Sequence, residues 1–229
     1  LKPDSIITIK IVYFIKFEFI ERKVIMNIVE KWIEKGIKFV NPANVEIDDS
    51  VILEHGVTIG SFVVLRGDTH IGKNTYIGEF SALTNAKIGE NVEIDKSTIM
   101  NSRIEDNVTV GPYAFIRGNA VIKNSASIGA YSEINDTQFG EKSKCKHFSY
   151  IGHTTLGTNV NIGAGTITCT YDGKRKYKST IGDGAFVGSG SLMVAPSTIG
   201  KNSRTGAGSV ITREVKENSL VYGVPAKEK

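Results

Sequence analysis

The sequence predicts an all-β chain wound as a parallel β-helix of hexapeptide repeats. Two observations carry that prediction: an aliphatic residue returns at every sixth position over most of the chain, and glycine repeatedly follows it. A third agrees with them. Apolar residues make up 40% of the 229 residues but aromatic ones only 8%, which suits a core of stacked aliphatic side chains better than a large globular one.

Residues 1–25 differ from the rest of the chain. Ile6 to Ile20 is strongly apolar, but Lys10, Lys16 and Glu18 interrupt it. The stretch falls short of the roughly 20 apolar residues of a membrane span, and it lacks the small-residue cleavage site of a signal peptide. The expectation is an extension outside the functional fold, ahead of Met26; a strand or helix packed on the end is the alternative. Residues 26–44 read as a short helix and lead-in, because Ile28, Trp32, Ile33 and Ile37 fall at helical spacing and Gly36 supplies a stop. Residues 45–229 read as one β-helix domain.

Within that domain one run of six-residue steps joins Ile47, Leu53, Ile59, Leu65, Ile71, Ile77 and Leu83. A second joins Ile104, Val110, Ile116, Ile122, Ile128 and Ile134, and a third Ile181, Val187, Met193, Ile199, Thr205 and Ile211. The step shortens to five at Leu83–Ile88, Ile94–Ile99 and Ile134–Phe139. Neither a helical period nor plain alternation produces this pattern. Six extended residues cover one short strand and one corner, so three hexads, about 18 residues, close one triangular coil. The 165 residues from 47 to 211 then make about nine coils. Glycine after the aliphatic residue, as in Ile59-Gly60 and Ile162-Gly163, leaves room at a tight corner. Such a stack has open edges, which invite pairing with other chains. The helix is expected to cover the first edge and the segment Glu214–Lys229 the last.

Function is sought where the repeat breaks. The longest break is the thirteen-residue step from Thr168 to Ile181. It must loop out, with Asp172-Gly173 as a turn and four cations, Lys174, Arg175, Lys176 and Lys178, close together. A solvated turn is the plain reading; a phosphate grip is the functional one, since Lys and Arg donate to phosphate oxygens. Just before it, Cys145 and Ile151 fall on core positions, and His147 between them is expected to face out as a general-base candidate. No His, Cys, Asp and Glu spacing resembles a metal site, and no Walker or Rossmann glycine loop is present. The net charge, 28 cations minus 24 anions or +4, is too small and scattered for nucleic acid. Cys145 and Cys169 make no disulfide framework and read as reduced thiols of a cytoplasmic protein.

The segment Asn159 to Gly173 (NVNIGAGTITCTYDG) resembles the acetyltransferase half of the bacterial bifunctional glucosamine-1-phosphate N-acetyltransferase/N-acetylglucosamine-1-phosphate uridylyltransferases. The likeness extends over most of Met26–Ile211, including Gly111 to Arg117, the stretch around His147, and Ile181 to Ser189. The resemblance implies a left-handed coil, a homotrimer and active sites between subunits. It implies N-acetylation of glucosamine 1-phosphate from acetyl-CoA, without a metal, on the route to UDP-N-acetylglucosamine. It implies that His147 is the base, that Arg117, Tyr150, Asn161 and Lys176 bind the sugar phosphate, and that Ala164, Tyr171, Ser189 and Ala207 hold acetyl-CoA.

Departures from the family pattern stand beside these matches. Asn135 replaces a lysine of the sugar-phosphate pocket, Thr170 replaces an asparagine on the acetyl-CoA side, and His153 replaces an aspartate. Arg117-Gly118-Asn119 stands for Arg-Pro-Gly, and the tail Val221 to Lys227 lacks an arginine expected near CoA. They leave open an acceptor that is another amino sugar or a nucleotide-linked amino sugar, and a non-catalytic homologue that binds sugar phosphate or CoA. The uridylyltransferase activity is expected from a separate partner protein, and neither nucleic acid nor membrane is expected as a partner. A chain starting at Met26 is expected to fold with an unchanged circular-dichroism spectrum and melting temperature; loss of folding shows that residues 1–25 belong to the fold.

Overall fold

The computed structural model of the protein describes residues 28–229, so the expected extension of residues 1–25 lies outside the described residues. The chain winds as a parallel β-solenoid of about ten turns with three faces. Face one begins with Lys38–Phe39, Thr58–Ile59 and Tyr76–Ile77 and reaches Arg204–Thr205 and Leu220–Tyr222. Face two runs from Glu46–Ile47 and Val64–Arg66 to Val210–Ile211, and face three from Ile52–Leu53 and His70–Ile71 to Thr198–Ile199. Each strand pairs in parallel with the strand one coil away, as in Ile59 with Ile77 and Ile77 with Ile94. The rungs at Lys38–Phe39 and Leu220–Tyr222 extend the stack beyond the coils counted between residues 47 and 211.

The aliphatic positions of all three sequence runs are buried, including the polar exception Thr205. The five-residue steps are buried as well. At Leu83–Ile88 and Ile99–Ile104 a strand runs through the corner without interruption, Ala82–Ile88 and Thr98–Ile104. A second inward position, two residues before each aliphatic one, emerges only in the structure. It holds valine in several coils, as at Val57 and Val63, and smaller residues in others, such as Ser81, Ser97, Ala114, Ala126, Ser191 and Ser203, all buried. The hydroxyls there close onto backbone at the corner: Ser191 Oγ donates to Gly188 O and Ser203 Oγ to Gly200 O, both at 2.6 Å. A buried hydroxyl without such a bond would cost about 1–3 kcal/mol.

Most corners are turned by a residue in the left-handed region. The corner from face three to face one uses mainly asparagine, at 74, 91, 107, 159, 202 and 218. The corner from face two to face three, the second corner, uses Asn85, Asn101, Asn119, Asp136 and His153. The corner from face one to face two, the first corner, uses Phe62, Phe80, Lys96, Tyr113 and Tyr131, then Gly165, Gly190 and Gly208. Asn and Asp tolerate this region and glycine suffers no penalty in it, whereas an aromatic residue is strained there. Stacking offsets the strain: the rings of Phe62 and Phe80 lie 5.1 Å apart and those of Tyr113 and Tyr131 lie 5.2 Å apart.

Both ends are covered. A helix over residues 28–34 stops ahead of Gly36, whose φ is +84°. Val29, Trp32 and Ile37 are buried in the common core, while Ile33, expected on the apolar stripe, faces out at 46% exposure. The inner face of the described helix is Ile28, Val29 and Trp32 rather than the full stripe. At the far end Lys227–Glu228 folds back antiparallel onto Val221–Tyr222 and closes the edge of face one. Ala226 N donates to Val210 O at 2.8 Å and Val210 N to Gly223 O at 3.0 Å, which closes the edge of face two.

Replacing Ile116, fully buried in the fifth coil, by Ala is expected to cost about 2–5 kcal/mol. Ile33→Ala at the exposed helix face is expected to change stability by about 0.5 kcal/mol or less. Thermal melts of both variants check the contrast.

Candidate active site

His147 ends the strand Lys144–His147 on face one, at the first corner, and its side chain is exposed as expected. Ladder registers fix what lies along the axis from it. Cys145 pairs with Ile162, Ile162 with Val187, and Phe186 with Arg204. Continued two or three residues into the corner, these registers align His147, Ala164, Ser189 and Ala207 in one column. Corner hydrogen bonds confirm the alignment: Gly190 N donates to Ala164 O at 2.7 Å and Gly208 N to Ser189 O at 2.8 Å. Neighbouring strands are about 4.8 Å apart, so the column spans about 14 Å from His147 to Ala207. Asn161 lies on the strand that leads into this corner, beside Lys144.

Face two carries a second group of the expected residues. Arg117 pairs with Asn135, and Asn135 with Gly152, on consecutive rungs. The Arg117 guanidinium is held by Glu133, Nη2 at 2.7 Å and Nε at 2.9 Å from the same carboxylate oxygen. Glu133 is a residue that the sequence reading did not single out; its place one rung from Tyr150 is visible only through the register. Asn135 is buried, and its amide donates to the Tyr150 hydroxyl at 3.3 Å. The Tyr150 ring covers Gly152, where no side chain fits. In this arrangement Asn135 orients Tyr150 rather than facing solvent.

The third group sits in the loop that leaves the coil at the second corner, between Ile167–Cys169 and Ser179–Ile181. Thr170 is buried at its root, and Tyr171 is exposed and bridges antiparallel to Lys176. Asp172 organises the turn. One carboxylate oxygen accepts from Lys174 N at 2.8 Å and Arg175 N at 2.9 Å; the other accepts from the Tyr177 hydroxyl at 2.9 Å. These bonds, the Arg175 amide first, hold the Asp172 carboxyl below its ordinary value. Arg175 Nε donates to the Tyr177 hydroxyl at 2.6 Å, so Arg175 braces the loop while Lys174, Lys176 and Lys178 point into solvent.

One chain therefore gathers His147, Ala164, Ser189 and Ala207 at the first corner, and Arg117, Asn135 and Tyr150 on the adjoining face. It places Thr170, Tyr171 and Lys176 at the far corner of that face. His153 stands at that far corner, its Nδ1 2.7 Å from Asp136 Oδ2. Among the described residues, no three His, Cys, Asp or Glu side chains converge as a metal site would require. None of the described helices is long and apolar enough to cross a membrane.

Comparison with known proteins agrees with this architecture. The family model described as bacterial transferase hexapeptide (six repeats) matches residues 50–85, 101–136 and 178–213. The bifunctional protein GlmU of Thermotoga petrophila is 43% identical over 205 residues, covering 90% of this chain and 46% of the relative. The bifunctional protein GlmU of Thermodesulfovibrio yellowstonii is 44% identical over 195 residues, 85% of this chain and 43% of the relative. The chain thus spans about half the length of the curated relatives it matches. Among solved structures, the UDP-N-acetylglucosamine acyltransferase of Arabidopsis shares the fold at a TM-score of 0.61 and 15% identity, covering 81% of this chain and 72% of that one. With six-residue repeats along its coils and this identity to relatives over most of its length, the chain belongs to the hexapeptide-repeat transferase family.

Proposed function

We propose that the chain transfers an acetyl group from acetyl-CoA to the amine of glucosamine 1-phosphate, yielding N-acetylglucosamine 1-phosphate for UDP-N-acetylglucosamine synthesis. The observation that carries this reading is the column of His147, Ala164, Ser189 and Ala207. It puts an exposed imidazole at the head of a strip whose side chains are small enough for an extended thioester to lie along it. The resemblance of Asn159 to Gly173 to the family's acetyltransferase half supplies the substrate class.

An ammonium group carries no lone pair for attack, so the acceptor must lose a proton. That first proton goes to solvent; His147 takes a second from the nitrogen as the neutral amine attacks the thioester carbonyl carbon, the tetrahedral intermediate then collapses, the C–S bond breaks, and the proton held on His147 passes to the departing CoA sulfur. A positioned base contributes about 10²- to 10⁴-fold. The Asn161 and Gly163 N–H groups are engaged in the ladder with Ala185 O and Val187 O, which leaves Ala164 N–H, in the corner itself, as the donor for the oxyanion. Arg117, Tyr150, Asn161 and the lysine loop bind the sugar phosphate. Phosphate draws Arg117 away from Glu133, because a dianion outcompetes a half-exposed carboxylate for a guanidinium. The acyl transfer needs no metal, since aminolysis of a thioester is downhill and asks for positioning and proton transfer.

The loop residues Thr170, Tyr171 and Lys176 leave the coil on the far side of face two from His147. A neighbouring copy in a homotrimer therefore brings its own loop to the His147 corner, and light scattering that finds a monomer contradicts this arrangement. The free cysteines suit a cytoplasmic setting, and a separate uridylyltransferase takes the product onward. The buried, neutral Asn135 favours one second reading, a different or nucleotide-linked amino sugar, because it leaves the phosphate pocket one cation short.

The test is thiol release from acetyl-CoA with glucosamine 1-phosphate and a panel of other amino sugars. His147→Ala is expected to lower kcat by about 100-fold or more with acetyl-CoA affinity retained; an unchanged rate removes His147 as the base. Asp172→Asn is expected to raise KM for the sugar phosphate and leave kcat nearly intact. Because the folded Asp172 carboxyl lies below its ordinary value of 3.8, its contribution to loop order is present above that pH and is lost as pH falls through the depressed value. Amide exchange in residues 171–177 across an acid titration reads that transition.

A further inference from the structure

The first corner changes character along its length. At its left-handed position stand Gly208, Gly190 and Gly165, and the residues just before them are Ala207, Ser189 and Ala164. One coil earlier the same place falls to Phe148, beside His147. His147 pairs with Ala130, which precedes Tyr131, and Phe148 N donates to Ala130 O at 2.8 Å. That is the bond Gly190 N makes to Ala164 O two registers further on. Backbone is thus bare for three rungs, about 10 Å, and the bare strip ends at an aromatic ring.

The ring leans over the strip. Its Cε2 and Cζ lie 3.2 and 3.6 Å from where a Cβ on Gly165 would stand. Among the described residues Phe148 has no stacking partner, unlike the Phe62–Phe80 and Tyr113–Tyr131 pairs, and it is 63% exposed. A solitary exposed ring held against a glycine at the coil of the base serves neither the core nor the aromatic stack.

We propose that Phe148 is the specificity-determining residue that limits the donor's acyl group to acetyl. This rests on the reading that the thioester is placed at His147 with its pantetheine arm along Ala164, Ser189 and Ala207. With the arm on the bare strip and the carbonyl carbon at His147, the acyl group lies against the Phe148 ring, which leans from the coil of the base over Gly165. A two-carbon acyl group ends there, and each further methylene must displace the ring.

The experiment compares kcat/KM for acetyl-, propionyl- and butyryl-CoA in wild type, Phe148→Ala and Phe148→Leu, with glucosamine 1-phosphate as acceptor. The butyryl-to-acetyl ratio is expected to rise about 10-fold or more in Phe148→Ala and much less in Phe148→Leu, which keeps most of the bulk. An unchanged ratio in Phe148→Ala overturns the proposal. If Phe148→Ala turns over no donor, the ratio of Kd values for butyryl- and acetyl-CoA by calorimetry decides in the same way. A wild type that neither binds nor uses any acyl-CoA refutes the acetyltransferase reading and this proposal with it; an active wild type with an unmoved ratio refutes only the role of Phe148.

Discussion

The corner is the constraint on which this molecule depends. Backbone bonds run along the axis from coil to coil, so a strand of two or three residues must end, turn and begin again in register with the coil beneath. That turn is made at most corners by one residue with positive φ, and asparagine, aspartate or glycine takes it at least cost. The inward position two residues before each aliphatic one takes valine, alanine, serine or threonine, and a hydroxyl there is tolerable because a corner carbonyl accepts from it. Stability is thus distributed over many similar corners and a continuous aliphatic stack, each coil resting on its neighbours.

Because corners repeat, a residue type chosen for one coil is copied into a column. Three columns of different chemistry result: asparagine along one edge, a polar mixture along the second, and aromatic residues giving way to glycine along the first. The candidate site lies where that third column switches. Rigid coils beneath hold His147 and its small neighbours at a fixed spacing, while the single long loop, free of the ladder, carries the cations. The loop has its own internal order, built on Asp172, Tyr177 and Arg175, so its lysines are presented by a braced turn rather than a slack chain. Positioning groups on a stiff frame is what acyl transfer to an amine asks of a protein.

The six-residue return of Ile, Leu and Val announced the coil, and the thirteen-residue step at Thr168 announced the loop, because burial and chain length are local properties of a sequence. His147 was legible as an outward residue between the core positions Cys145 and Ile151. Glu133 and the small residues at the second inward position were not legible: serine and alanine carry no periodic hydrophobic signal, and the meaning of Glu133 comes from Arg117, sixteen residues away. Ile33 reads from spacing as part of the buried stripe, but the helix that stops before Gly36 turns Ile28, Val29 and Trp32 to the core and leaves Ile33 outside.

By itself, then, the sequence determined the repeat, the number of coils to within about one, the break and the residue types available for chemistry, because each depends on neighbours in the chain. Only the tertiary structure decided which residues share a column, that Asn135 is buried against Tyr150, that Arg117 rests on Glu133, and that Phe148 closes the bare strip. Those relations join residues fifteen or more positions apart. Their distance is set by coil length and register, and a single five-residue step shifts every later partner by one.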